Sequence, residues 1–301
     1  MSIITAAICL YLLSILLIHI RCSRTFPLTR QLSDFSTFTV PFNVPAYALS
    51  KVPLQPIVPQ RFFPELSVLS DNWETIRDEA LALYQMGHIK AKDDLPASSF
   101  YKNGRWVSFY LKVYDSDIPS ARELAPKTLA LIEQVPNMNL ALFAVLMPGK
   151  KLNDHHDPFA FTLRYSLGLS TPNSDECGIQ IDQEDYKWKD GESVLFDETY
   201  LHNAYNDTDT PRLILMTDID RPLKWAWLQK LYHHFGRFFN SLFVIDNVDE
   251  NQTGLGNKLG QGVLAYQTFL KGLKRKNRTA YQIGKWAVIL LVLYGLARLV
   301  S

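Results

Sequence analysis

Cysteine is scarce in this 301-residue sequence: Cys9, Cys22 and Cys177 are all there are. Three scattered thiols exclude a disulfide framework and fit a reducing, cytoplasmic setting. Charge of one sign is also missing, since 31 Lys and Arg stand against 30 Asp and Glu, a net charge of +1. Nucleic-acid binders normally show a clustered basic face, so no nucleic-acid partner is expected. There is no internal repeat of solenoid length and no low-complexity tract, which excludes a repeat array. No basic n-region or small-residue cleavage site accompanies the N-terminal apolar run, which argues against a cleaved leader.

What the chain does have is apolar ends. Residues 3–20 (IITAAICLYLLSILLIHI) contain no Asp, Glu, Lys or Arg, a length expected for a short transmembrane helix. Arg21, Arg24 and Arg30 follow it, and the positive-inside rule then puts the body on the cytoplasmic side. Residues 286–300 (WAVILLVLYGLARLV) form a second apolar run, approached by Lys271, Lys274, Arg275, Lys276, Arg278 and Lys285. Such a basic approach suits an anionic inner leaflet; whether the tail spans, lies flat or dips in stays open. The expected organisation is a transmembrane helix at 1–21, an irregular juxtamembrane segment at 22–64, and a catalytic domain at 65–222. An amphipathic and basic membrane-proximal region at 223–285 and a hydrophobic segment at 286–301 complete it.

Pro41, Pro45, Pro53, Pro56 and Pro59 argue for irregular chain through residues 26–64. A helix is expected at 72–85, with Asp71 and Glu74 at capping-box spacing and Trp73, Ile76, Ala80 and Leu83 on one face. Val107, Phe109, Leu111 and Val113 alternate with polar or aromatic neighbours as in a strand. A second helix is expected from Pro126 to Glu133. Short strands follow at 140–146, 161–169, 179–182, 193–196 and 212–217, separated by turn signals such as Pro148-Gly149 and Asp190-Gly191. This texture predicts a mainly β fold, a sandwich or barrel, with the two helices covering one face. In 223–243, Trp225, Trp227, Leu231 and Phe238 mix with Lys224, Lys230 and Arg237, which fits either an interfacial helix or an amphipathic helix packed on the barrel.

The candidate chemistry begins at Asn153-Asp154-His155-His156-Asp157-Pro158. On a strand or its exit, residues two apart share a side, so His155 and Asp157 can grip one metal ion. His202 is the leading third ligand. Two imidazoles and a carboxylate leave three positions open, as in non-haem iron(II) oxygenases. Arg212, ten residues after His202 at the head of LILMT, is placed to bind a co-substrate carboxylate with two parallel hydrogen bonds. Arg164, between Leu163 and Tyr165, is a second inward-pointing candidate. Read singly, a residue like His202 is more often a core histidine and one like Arg212 more often a surface charge. Asp197 and Glu198 read as supporting or strand-end charges, His233 and His234 as interfacial, and Cys177 as inert.

The blocks HHDPFAFTLRYSLGLSTPNSD, WKDGESVLFDETYLH and PRLILMTDIDRPL occur in that order between Pro148 and Pro222. Together they resemble the aspartyl/asparaginyl β-hydroxylase family, and within it the membrane-bound bacterial lipid A 2-hydroxylases. The flanking pieces RQLSDFSTF, PELSVLSDNWETIRDEA and PSARELAPKT extend the resemblance over nearly the whole chain. It implies a double-stranded β-helix of jelly-roll, cupin-like form. It also implies iron(II) on His155, Asp157 and His202, with 2-oxoglutarate on Arg212 and Arg164 and dioxygen as the other co-substrate. The implied reaction is hydroxylation at C-2 of a secondary acyl chain of lipid A, at the cytoplasmic face of the bacterial inner membrane. No obligate protein partner is implied. Three positions depart from the family pattern: Ser166 stands for a common histidine, Gly178 for a basic residue, and His156 for a frequent arginine. Hydroxylation of a peptide Asp or Asn, or of another lipid such as an ornithine lipid, are the rival enzymatic readings. A membrane-bound binding protein on a degenerate β-helix is the non-enzymatic one.

Overall fold

The short apolar segments pair into two antiparallel sheets, and the helices pack outside them. The computed structural model describes residues 3–32, 34–89, 106–116, 118–241, 247, 269 and 272–299. In chain order the helices are α1 (Ile3–Arg21), α2 (Leu28–Gln31), α3 (Phe35–Ala48), α4 (Ser67–Asp71), α5 (Trp73–Gln85), α6 (Pro119–Leu124), α7 (Pro126–Ile132), α8 (Ala226–Ser241) and α9 (Arg278–Leu299). The strands are β1 (Trp106–Val113), β2 (Met138–Leu146), β3 (Lys150–His155), β4 (Thr162–Ser170), β5 (Cys177–Ile181), β6 (Glu184–Lys187), β7 (Ser193–Phe196), β8 (His202–Asn206) and β9 (Arg212–Asp220). One sheet has the order β1-β2-β9-β4-β7 and the other β3-β8-β5-β6. The two sheets enclose a cavity to which both contribute side chains. This is the expected jelly-roll layout in a mixed α/β chain.

Burial explains which runs are easiest to read. β2 is apolar almost throughout (MNLALFAVL) because it lies between β1 and β9 with both faces covered. Helix α5 sets Ile76, Ala80 and Leu83 into the core and packs against β4. Its Glu79 accepts hydrogen bonds from the amides of Lys127 (3.0 Å) and Thr128 (2.7 Å), so one carboxylate caps the start of α7. The expected Asp71–Glu74 capping box does not form. Residues 67–71 are themselves helical, and Asn72 precedes α5 with its side chain turned back to Val68 O at 2.8 Å.

The segment expected to be irregular contains α3, which corrects that reading. Asp34 starts the helix by accepting from Ser36 N at 3.1 Å. Pro41 and Pro45 lie four residues apart and so fall on the same side of the helix. Asn43 between them donates to Pro158 O (2.8 Å) and accepts from Ala160 N (2.9 Å).

The terminal runs are helical as α1 and α9. Among the described residues, however, no helix is long and apolar enough to cross a membrane, which corrects the expectation of a spanning helix at 1–21. Helix α1 instead lies along α3, buries Ser14, Ile15 and Ile18, and ends in an ion pair between Arg21 and Asp197. Helix α9 starts at Arg278, ahead of the apolar run. Lys271, Val300 and most of residues 242–271 lie outside the described residues. Helix α8 packs on the barrel through Leu228 and Tyr232, while Trp225, Trp227, Leu231 and Phe238 of the same segment stay exposed.

Candidate metal centre

Strands β3 and β8 bring the two histidines together. They pair antiparallel with His155 directly opposite His202, and the register slips between Leu152 and His155. Leu152 pairs with Ala204 and His155 with His202, so β3 uses one residue more than β8 over this interval. That bulge turns His155 to the side that Leu152 already faces, and both line the cavity. The imidazole centroids are 4.1 Å apart. Asp157 lies just past the strand, fixed by its amide to Glu198 O at 2.9 Å. One donor atom from each of His155, Asp157 and His202 falls within 4.8 Å of the others.

The tautomers suit a metal. His155 Nδ1 lies 2.8 Å from Asn153 O and His202 Nδ1 lies 2.9 Å from Tyr200 O. A carbonyl only accepts, so both Nδ1 atoms carry hydrogen and both Nε2 atoms carry the lone pair. Burial and the neighbouring His155 push His202 down to about 3, leaving it a neutral ligand at ordinary pH.

Arg164 lines the cavity beside Asp157 but spends its donors on carboxylates. Its Nη1 donates to Asp157 Oδ2 at 2.7 Å, its Nε to Asp218 Oδ1 at 2.8 Å, and its Nη2 abuts Glu198. Burial opposes ionisation of Asp157, but Arg164 and the two imidazoles outweigh it and hold its carboxyl well below the usual range. Burial drives Glu198 the other way, well above the usual range, with Asp218 and Asp157 adding to the effect against Arg164. These opposite pushes on Glu198 and Asp157 accompany three carboxyl groups sharing one guanidinium. Sequence reasoning misses Asp218, although it lies an even number of residues from Arg212 on one strand and so shares its face.

Arg212 has the opposite surroundings. It opens β9 on the cavity wall, followed on the same face by Ile214, Met216 and Asp218. Its guanidinium carbon lies 5.0 Å from the centre of the buried Trp188 ring. Its Nε is buried without a hydrogen-bond partner, and among the described residues no carboxylate pairs with it. Burial lowers it to about 10, still charged at neutral pH. A buried cation without a counterion is costly, so the site is built to receive an anion.

The cavity has a volume of about 300 Å³ and carries the triad, Arg164 and Arg212 on its wall. Away from these groups it is lined largely by Trp106, Tyr114, Phe159, Phe161 and Phe239. Gly236 of α8 permits this closure: a Cβ there would collide with the Tyr114 hydroxyl. Ser166 also faces the cavity and adds a small neutral wall where a histidine was expected. Gly178 is set by packing, since a Cβ would lie 2.5 Å from the Tyr205 hydroxyl. His156 turns from the cavity and lies 2.9 Å from Thr199 O through Nδ1.

Arg21 at the end of α1 and Arg24 just after it grip the back of this site. Arg21 reaches Asp197 at 2.5 Å and Thr199 at 2.8 Å, and buried Arg221 reaches the same Asp197 oxygen at 2.6 Å. Arg24 pairs with Asp154 at 2.9 Å, and Asn203 donates to that same oxygen at 2.7 Å. Asp154 and Asn203 are the sequence neighbours of His155 and His202. Their bond therefore ties the two ligand strands from behind. Among the described residues, His155, Asp157 and His202 are the one group able to hold a metal ion; His233 instead sits 3.4 Å from Asp220.

Comparison with known proteins gives the family of this chain. The family described as aspartyl/asparaginyl beta-hydroxylase matches residues 70–222. An ornithine lipid ester-linked acyl 2-hydroxylase of Rhizobium tropici is 28% identical over 173 residues, 56% of this chain and 62% of that protein. The human aspartyl/asparaginyl beta-hydroxylase is 31% identical over 161 residues, 51% of this chain and 21% of that protein. The chain thus spans less than two thirds of each relative. A Pseudomonas putida prolyl-4-hydroxylase structure aligns loosely, at 14% identity and a TM-score of 0.36, over 50% of this chain and 87% of that one.

Proposed function

Because this chain belongs to the aspartyl/asparaginyl β-hydroxylase family, we propose that it is a hydroxylating enzyme, an iron(II)- and 2-oxoglutarate-dependent dioxygenase acting on an acyl chain of a membrane lipid. His155, Asp157 and His202 would hold the iron, through two imidazole nitrogens and one ionised carboxylate. Iron(II) with 2-oxoglutarate supplies dioxygen activation, one oxygen atom entering a substrate C–H bond and the other forming succinate as carbon dioxide leaves.

The observation that carries this reading is Arg212, a buried guanidinium without a counterion on the wall of the triad's own cavity. It would bind the distal carboxylate of 2-oxoglutarate, with Trp188 covering its face. Arg164 has its donors committed to Asp157, Glu198 and Asp218, and its role is to orient the carboxylate ligand. The aromatic lining would exclude water and guide an apolar chain toward the metal.

For the substrate, the aromatic wall and the exposed apolar residues of α1, α3 and the α8 segment support an acyl lipid over a peptide. Lipid A, modified at C-2 of a secondary acyl chain at the cytoplasmic face of a bacterial inner membrane, is the substrate that the sequence blocks point to. An ornithine lipid is the second reading, favoured by the Rhizobium relative. Mass spectrometry of lipid A and of ornithine lipids, from cells with and without the protein, tests both. One added oxygen in either fraction identifies the substrate, and unchanged spectra in both refute the acyl-lipid reading.

A further inference from the structure

A second cavity, of about 380 Å³, lies on the other side of the metal loop. Asp157 belongs to the walls of both cavities. The second is enclosed by α1, α3 and the loops carrying His156 and Thr199, and its apolar wall includes Leu17, Ile18 and Val40. None of these residues lines the catalytic cavity, and nothing in the proposed chemistry uses this space.

Its chemistry is that of a hydrocarbon slot. Most polar groups on its wall are already committed, while Arg21 Nε and His156 Nε2 are buried without hydrogen-bond partners. Arg21 is held by Asp197 and Thr199, Tyr47 donates to Thr199 at 2.9 Å, and Thr39 donates to Ser36 O at 2.8 Å. Asn43 is engaged at both ends by Pro158 and Ala160. The committed groups leave a polar ligand few partners, and the rest of the wall is apolar, which suits a hydrocarbon chain. The volume is within the range of pockets that hold small ligands.

The cavity also has an entrance. Ile20, Val44 and Leu54 line it and are at the same time 72%, 40% and 45% exposed. They mark an opening near the C-terminal ends of α1 and α3, and Leu16 of α1 and Phe38 in the first turn of α3 add exposed apolar surface farther along these helices. An occupant can therefore enter from the apolar outer face of these helices.

We propose that this second cavity binds a fatty acyl chain, the sibling of the chain that enters the catalytic cavity on the same multi-chain lipid. As a statement about substrate, it rests on the acyl-lipid reading. The slot would hold one chain of the lipid while another reaches the metal, so that two apolar contacts on opposite sides of Asp157 fix which carbon is presented.

The test uses the full chain with a long-chain fatty acid bearing a terminal diazirine, irradiated and mapped by peptide mass spectrometry. The expected result is label on peptides of α1 and α3 that include Leu17, Ile18 and Val40. In Val40→Trp that label falls about tenfold, the weakening expected when roughly two methylene groups are kept out of apolar surroundings. Val44→Trp, at the half-exposed entrance, gives the same loss with less risk to folding. Label confined to barrel strands, or equal α1 and α3 labelling in wild type and both variants, overturns the proposal. Should the lipid spectra stay unchanged while the variants lose this label, the chain-binding slot stands and the substrate reading alone falls.

Discussion

Arg164 donates through Nη1 to Asp157 Oδ2 across 2.7 Å, and so the one carboxylate of the metal triad is held by a guanidinium that is itself clamped by Asp218 and Glu198. This explains how an acidic side chain just beyond a strand end keeps its ligand atom near two imidazoles. Arg164→Lys keeps the charge but loses the fork. It should weaken iron(II) or cobalt(II) binding about 10–100-fold, the usual effect of losing a ligand's supporting partner. Anaerobic metal titration checks this, and an unchanged affinity in the folded variant would reject the orienting role.

Arg212→Met should separate stability from function. Removing a buried cation that lacks a counterion is expected to leave the ligand-free protein as stable or more stable. Binding of 2-oxoglutarate should meanwhile weaken about 10–100-fold, because each hydrogen bond to a charged group is worth about 1.5–3 kcal/mol. Thermal melting and 2-oxoglutarate titration on the same sample decide the matter. A large loss of stability with unchanged co-substrate affinity would assign Arg212 to structure alone.

Asp197 links α1 to the barrel, and its pH dependence follows in sign. Burial opposes its ionisation, but Arg21 and Arg221 lower its folded pKa below the ordinary 3.8. Its contribution is thus complete above that ordinary value and is lost as pH falls through the lower folded value. Asp197→Ala would leave two arginines facing one another and should cost about 3–5 kcal/mol in denaturant unfolding. Arg21→Gln should begin acid unfolding at a higher pH than wild type, as followed by circular dichroism.

Phe159 stands on the aromatic wall of the catalytic cavity. Phe159→Ala should raise KM for the acyl substrate about tenfold or more, because the ring no longer shields the chain from water. Metal binding and 2-oxoglutarate affinity should not change. Steady-state kinetics on the lipid, paired with the metal titration, distinguishes this from general damage.

Much of the β core is legible in the sequence because buried strands such as β2 and β9 read as apolar runs bounded by turns. β3, β6 and β8 are not, since KKLNDH, EDYK and HNAYN are polar and owe their strand form to pairing across the sheet. Two of those hidden strands carry His155 and His202. Their meeting depends on a bulge between Leu152 and His155 that no periodicity announces. Helix α3 is hidden because prolines outvote a helix locally, while Asn43 and the neighbouring α1 restore it through tertiary contacts. In sequence, Arg21, Arg24 and Arg30 look like charges facing a membrane surface. Arg21 and Arg24 are paired with carboxylates of the barrel, and Arg30 donates to Asp154 O at 2.8 Å. A charge count cannot tell solvent from a partner more than a hundred residues away.

The most direct test is an anaerobic titration of the full chain with iron(II) and then 2-oxoglutarate, followed by visible absorption. A weak metal-to-ligand charge-transfer band should appear with wild type, vanish in His202→Ala, and require far more 2-oxoglutarate in Arg212→Met. A folded wild-type protein that binds iron(II) without developing that band, at any 2-oxoglutarate concentration, would contradict the account.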